Sequence, residues 1–297
     1  MQLASIRSIT RPGAADAAVV DPARGVALAA DLLTDFTGDA LAVLTSGRWE
    51  ELCASAASAD DGLFRDDVTL VAPYRHPRMI WGIGLNYVEH ASDLTEAVPD
   101  EPASFIKADH TVIGPGESIP LPVQSERTTT EAELGLVIGR YCRDVEPEEA
   151  LSHLVGVVPV LDQTAEGILQ RNPRFLTRAK NFPGFFSFGP AIVPLEEAVQ
   201  GASLADVEVA TVVNRQVHRR NTVSHMRYDP AYLISFHSKV MPLYPGDIIS
   251  SGTPGAVPIT PGDVAECRIP GVGVLTNPVT GPAAARAHLD PFPEAAR

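Results

Sequence analysis

Lysine is nearly missing from this 297-residue chain: of 23 basic residues only Lys107, Lys180 and Lys239 are lysine, and the rest are arginine. Arginine therefore serves wherever a generic surface cation is enough. A lysine kept against that bias is a candidate for a place that needs a compact, titratable ammonium rather than a planar fork, with chance retention as the alternative. Cysteine is also scarce. Cys53, Cys142 and Cys267 lie far apart with no CxxC spacing, which excludes a thiolate metal site and a disulfide scaffold. No apolar run approaches the roughly 20 residues of a membrane span. The start, MQLASIRSITRPGAADAAVV, has no apolar core of a signal peptide. The expectation is a soluble cytoplasmic protein with no membrane partner. A net charge of −14 from 37 acidic residues disfavours nucleic acid, whose phosphates need a basic face.

What the chain does have is apolar residues, 45% of the total, enough for one large domain and a small one. Residues 1–72 read as a small N-terminal α/β domain. Short strands flank the Pro12-Gly13 turn, and helices are expected at VALAADLLTDF and DALAVLTSGRWEELCASA. Residues 72–79 read as a linker. From Met79 the texture changes to short β-type runs divided by Gly/Pro turns, so residues 73–297 form a β-rich sandwich or distorted barrel. Pro245-Gly246-Asp247 and Pro261-Gly262-Asp263 each launch a strand. Helices are expected at EEALSHLV, at AEGILQRN and at DPAYLISFHSKVM, the last starting at Asp229 or Pro230. The tail after about residue 279 is Ala/Pro-rich and reads as loosely held. The fold class is α+β and β-rich.

The run TTTEAELGLVIGR begins a buried-type strand with two acids. A side-chain period of two puts Glu131 and Glu133 on one face, where their charges repel. The apolar strand VVPVLD supplies a third carboxylate, Asp162. Three oxygen ligands without cysteine or paired histidine suit Mg²⁺ or Mn²⁺ rather than zinc. On spacing alone, a strand edge with both glutamates in water stays open. In GIGLNYVEHASDL, Tyr87 stands where a dinucleotide fingerprint needs its third glycine. His90 and Asp93 are one helical turn apart, the spacing of a water-activating dyad or of ordinary surface residues. Lys180 sits among aromatic residues in LTRAKNFPGFF, and the SSGTPGA turn offers Thr253 and backbone N–H groups to an oxyanion.

Taken in order, GIGLNYVEHASDL, PASFIKADHTVIGPGESIPLP, EAELGLVIGR, DQTAEGILQRN, RAKNFPGFFSFGP, LYPGDIISSGTPGAV and GVGVLTNPV resemble the fumarylacetoacetate hydrolase superfamily over residues 80–279. The resemblance implies a mixed β-roll or barrel-like C-terminal domain behind a small N-terminal domain, usually as a homodimer. It implies an Mg²⁺ or Mn²⁺ site at Glu131, Glu133 and Asp162, with His90, Asp93 and Lys180 as catalytic residues. Asn86, Tyr87, Lys107, Gly252 and Thr253 would bind a small oxo-acid substrate. The implied activity is hydrolysis of a C–C bond in a 2,4-dioxo acid through an enolate. The alternative is a decarboxylase or isomerase of a 2-oxo (di)acid such as oxaloacetate or 2-hydroxyhepta-2,4-diene-1,7-dioate. A non-catalytic member is the third reading. The chain departs from the usual pattern at Asp93 (commonly Glu), at Thr129-Thr130 (Asp-Tyr) and at Leu161 (Asn). Pro183 and Arg215 are further departures, from Asp and Gly.

Overall fold

The computed structural model describes residues 1–8, 11–87 and 99–282; the expected dyad, His90 and Asp93, lies outside them, as does the end of the tail. The fold is α+β and β-rich, with three sheets. The first carries Gln2–Arg7, Ala15–Asp21 and Gly25–Leu28, and a fourth strand, Ala191–Ile192, joins it from far along the chain. Leu3 pairs with Ile192 and Ala4 with Ala191.

Two helix expectations in this region change. VALAADLLTDF begins as strand, because Val26 and Ala27 pair in register with Val20 and Val19; only Ala29–Leu32 is helical. Here cross-strand pairing outweighs the helix propensity of the alanines and leucines. The second segment splits into Ala40–Thr45 and Trp49–Ser58 around Ser46-Gly47, and the Asp39 carboxylate caps the first piece by accepting from the N–H groups of Leu41 and Ala42.

The second sheet has eight strands. Its centre is an antiparallel pair of 11-residue strands, Thr128–Ile138 and Leu154–Thr164. Every residue of the first is buried. Alternation along it separates two environments. Ala132, Leu134, Leu136 and Ile138 face an apolar cluster shared with Val209, Val213, Cys267 and Leu275 of the five-stranded third sheet. On the other face Val137, Val158 and Val160 pack under Leu3, Val19 and Leu52 of the N-terminal region. That cover stops short of Glu131 and Asp162, which stand opposite each other further along the same face.

The strands Ile248–Ser250 and Val257–Ile259 both pair with Thr128–Ile138, so the turn between them arches beside Glu133. The two Pro-Gly-Asp turns hold Gly246 at φ +88° and Gly262 at φ +97°, and strands start at Ile248 and Val264. Helix Pro230–Val240 starts where expected, with the Asp229 carboxylate accepting from the Tyr232 N–H. EEALSHLV supplies only the short helix Pro147–Ala150 and a 3₁₀ turn, because Leu154 already belongs to the long strand. No described helix is long and apolar enough to cross a membrane.

Candidate active site

Glu131, Glu133 and Asp162 bring one carboxylate oxygen each to within 4.8 Å of one another, and all three residues are buried. The repulsion is held in check by the two lysines nearest in sequence. Lys180, at the end of the short helix Leu176–Lys180, donates from Nζ to Asp162 Oδ2 at 2.7 Å and to Glu131 Oε2 at 2.9 Å. Lys107, at the end of strand Ala103–Lys107, donates to Asp162 Oδ1 at 2.5 Å and to the Lys180 carbonyl. The Lys180 ammonium also lies 4.9 Å from the Phe105 ring centre, over its face. Lys239, by contrast, is an exposed partner of Glu146.

Hydroxyls and an amide complete the site. Glu131 Oε1 accepts from Thr164 Oγ1 at 2.6 Å and Thr129 Oγ1 at 3.2 Å. Glu133 Oε2 accepts from Ser250 Oγ at 2.5 Å and the Gly252 N–H at 2.9 Å. Burial pushes the Glu133 carboxyl up to about 8, and the nearby Asp162 charge adds to the shift. Burial also pulls the Lys107 ammonium down to about 8, against the attraction of Asp162. At Lys180 burial acts in the same downward sense, but Asp162, Glu131 and Glu133 together raise it above the ordinary lysine value. Lys180 is therefore a fixed positive charge. Once Glu133 gives up its proton, three carboxylates face two ammonium groups and the cluster is short of positive charge. An oxygen-only, buried donor set of this kind fits a hard divalent cation such as Mg²⁺ or Mn²⁺.

The residues expected to bind substrate fall into different roles. Gly252 turns its N–H onto Glu133. Thr253 is buried, and its hydroxyl closes the same turn on Gly255, accepting from its N–H at 3.2 Å. Asn86 is engaged at both ends: Nδ2 donates to the carbonyls of Tyr228 and Ser251, and Oδ1 accepts from the Tyr228 N–H. It ties the site turn to residues 227–228, and it follows Leu85, held at φ +56° in the sparsely populated left-handed region. Tyr87 is fully buried and bridges to Met226 through the backbone. Lys107 is drawn onto Asp162 rather than out toward a pocket. Sequence reasoning missed Thr129, Thr164 and Ser250. The period of two already placed Thr129 beside Glu131, but the other two are defined only once the strands pair.

Known proteins resemble this chain over most of its length. A family model described as fumarylacetoacetate (FAA) hydrolase C-terminal matches residues 79–280. The human mitochondrial oxaloacetate tautomerase FAHD2A is 30% identical over 215 residues, which cover 72% of this chain and 63% of that one. Among solved structures, 5-carboxymethyl-2-hydroxymuconate delta-isomerase from Mycobacterium smegmatis is 30% identical, with a TM-score of 0.73 over 95% of this chain and 99% of that one. Maleylpyruvate hydrolase from Sphingobium sp. SYK-6, in complex with manganese(II) and pyruvate, is 25% identical, with a TM-score of 0.79 and the same coverage of 95% and 99%. On the match over residues 79–280, this chain belongs to the fumarylacetoacetate hydrolase family.

Proposed function

We propose that this chain is an Mg²⁺- or Mn²⁺-dependent enzyme that acts on a 2-oxo acid through its enolate. The observation that carries this reading is the buried Glu131/Glu133/Asp162 cluster with Lys180 donating to two of its members. When bound, the divalent cation supplies a Lewis acid for the oxygens of the oxo acid. The chain's own groups do the rest. Thr129, Thr164, Ser250 and the Gly252 N–H fix the carboxylates, so the site is preorganised before substrate arrives. Lys180, kept protonated by three carboxylates, offsets the negative charge that enolate formation creates.

In the hydrolytic reading, His90, oriented by Asp93, takes a proton from water, and the hydroxide adds to the distal carbonyl carbon of a 2,4-dioxo acid. The C–C bond then breaks, and its electron pair passes to the enolate of the 2-oxo acid product, which is protonated on carbon. The pyruvate complex of the 25%-identical hydrolase supports this reading. A second reading, proton transfer without hydrolysis on a 2-oxo diacid, is supported by the tautomerase and the isomerase, each 30% identical. Both begin with the same stabilised enolate.

The test is turnover of acylpyruvates and of oxaloacetate with and without Mn²⁺. Metal-dependent turnover of either, abolished in Glu133→Gln, is expected; no metal-dependent turnover across the set overturns the proposal. His90→Ala separates the readings. It should abolish acylpyruvate cleavage while leaving Mn²⁺ binding intact, and cleavage at the parent rate refutes the dyad. We also infer a homodimer, as the resemblance implies; a monomeric mass by light scattering at micromolar concentration counts against it.

A further inference from the structure

Resting on the reading of Lys180 as the group that offsets enolate charge, we propose that Phe105 is the positioning residue for that ammonium. Gly82 is glycine so that the ring can take its place. Phe105 is buried, yet it joins none of the apolar clusters among the described residues, whereas every other buried aromatic ring does. Its surroundings are of another kind. Strand Ala103–Lys107 sets Phe105 and Lys107 on one face by its period of two, the face that meets the acidic cluster.

A row of small residues crosses the sheet beside the ring. Phe105 pairs with Gly82 of strand Ile80–Gly84, Gly82 with Ser250, and Ser250 with Gly135. A β-carbon on Gly82 would collide with Cε2 and Cζ of Phe105 and stand 3.0 Å from Cε1. The far end of the ring thus fills the space that any larger residue at position 82 would need. Gly82 is not among the residues held at a left-handed φ. Close approach of the ring, and not backbone freedom, accounts for this glycine.

Lys180 stands over the ring's face, with Nζ 4.9 Å from the centroid. Of the ammonium's three N–H donors, one goes to Asp162 and one to Glu131. The ring attracts the cation through its electron-rich face without being an anion. That distinction matters for an enolate. A further acid at this place would cancel the charge that Lys180 offers, and an aliphatic side chain would not hold it. Phe105 limits where the ammonium sits and leaves its charge available.

The experiment measures binding of oxalate and of pyruvate to the Mn²⁺-loaded full chain by calorimetry. Oxalate is a planar dianion that resembles the enolate, whereas pyruvate carries no charge on its carbonyl oxygen. Phe105→Leu keeps apolar bulk but removes the π face; it should weaken oxalate by about 3- to 30-fold and pyruvate by less than about twofold. Gly82→Ala, whose added carbon meets the ring first, should do the same by displacing it. In a Lys180→Met background, Phe105→Leu should have no further effect on oxalate. Urea unfolding identifies the folded variants, and Phe105→Met replaces the leucine variant if that one does not fold. Equal loss for both acids, oxalate affinity unchanged by Phe105→Leu, or the same loss with and without Lys180 overturns the proposal. A parent that binds neither acid with Mn²⁺ overturns the oxo-acid reading itself, and the role of the ring falls with it.

Discussion

Residues 1–72 and residues 79–280 pack against each other but bury different kinds of atoms. Among the described residues of the first region, the buried polar side chains are Ser5 and Ser8. In the second, Lys107, Glu131, Glu133, Asp162, Lys180, Asp247 and Glu266 are all buried. Removing a charge from water costs several kcal/mol per ion even after relaxation, so a fold retains such a cluster where chemistry uses it. Cavity size is no substitute for this criterion. A cavity of about 490 Å³ opens in the first region, lined by Ile6, Ala17, Leu28 and Phe36 with Arg11 and Asp16 and by none of the acidic cluster. Buried charge, not empty space, distinguishes the candidate site.

The contrast is open to attack by substitution. Glu133→Gln should lower Mn²⁺ affinity by about 10³-fold or more, since loss of a ligand's supporting partner alone costs 10- to 100-fold; affinity retained within about twofold by calorimetry would detach the buried charge from metal binding. Leu52→Ala, in the apolar region, should cost about 2–5 kcal/mol in urea unfolding and leave metal affinity alone. A change in affinity there would mean that the two regions do not act separately. Lys180→Arg should reduce kcat/KM by about 10²-fold, because a planar fork does not fit between Asp162 and Glu131, whereas exposed Lys239→Arg should change it less than about twofold. Equal tolerance at both sites would dissolve the meaning given to scarce lysine.

A pH titration sharpens the same contrast. Without metal, Glu133 holds its proton up to about 8, far above the ordinary 4.5, and a cation must expel that proton. Mn²⁺ affinity should therefore climb about tenfold per pH unit toward pH 8 and level off above it. For folding, the sign is opposite. The raised carboxyl gives stability that is full below pH 4.5 and is lost as pH rises through about 8. Arg215→Gly should have the smallest effect. Asn214 and Arg215 form a two-residue hairpin turn at φ +51° and +69°, so glycine should stabilise the fold by about 0.5–1 kcal/mol. An unchanged urea midpoint would show that Arg215 is not strained.

Much of the site is legible in the residues themselves. A period of two aligns Glu131 with Glu133, an apolar run ending in an acid marks Asp162, and the arginine bias leaves three lysines, of which Lys107 and Lys180 reach the cluster and Lys239 stays on the surface. The structure brings the three acids and those two lysines into one cluster. Thr164, Ser250 and the Gly252 N–H carry no such local signal, because they act only through a neighbouring strand or turn. Asn86 reads as a substrate contact from its motif, yet its amide is engaged by Tyr228 and Ser251. At Gly25–Leu28, composition favours helix while partners four to ten residues back impose strand. Pairing across sequence distance is the information that a local pattern lacks.

The strand Ala191–Ile192 beside Gln2–Arg7 has a consequence in time. During synthesis the amino-terminal strand emerges early, while its partner is still unmade. At about 5–20 residues per second, the edge that Ile192 covers waits on the order of ten to forty seconds. Until then Leu3 and Ala4 have one unpaired side, and an open edge is a template for the wrong neighbour. A nascent chain halted after residue 72 carries a sheet that it cannot close by itself. Emergence of residue 192, with about two thirds of the chain made, and not the appearance of its first region, sets the moment at which that edge is safe.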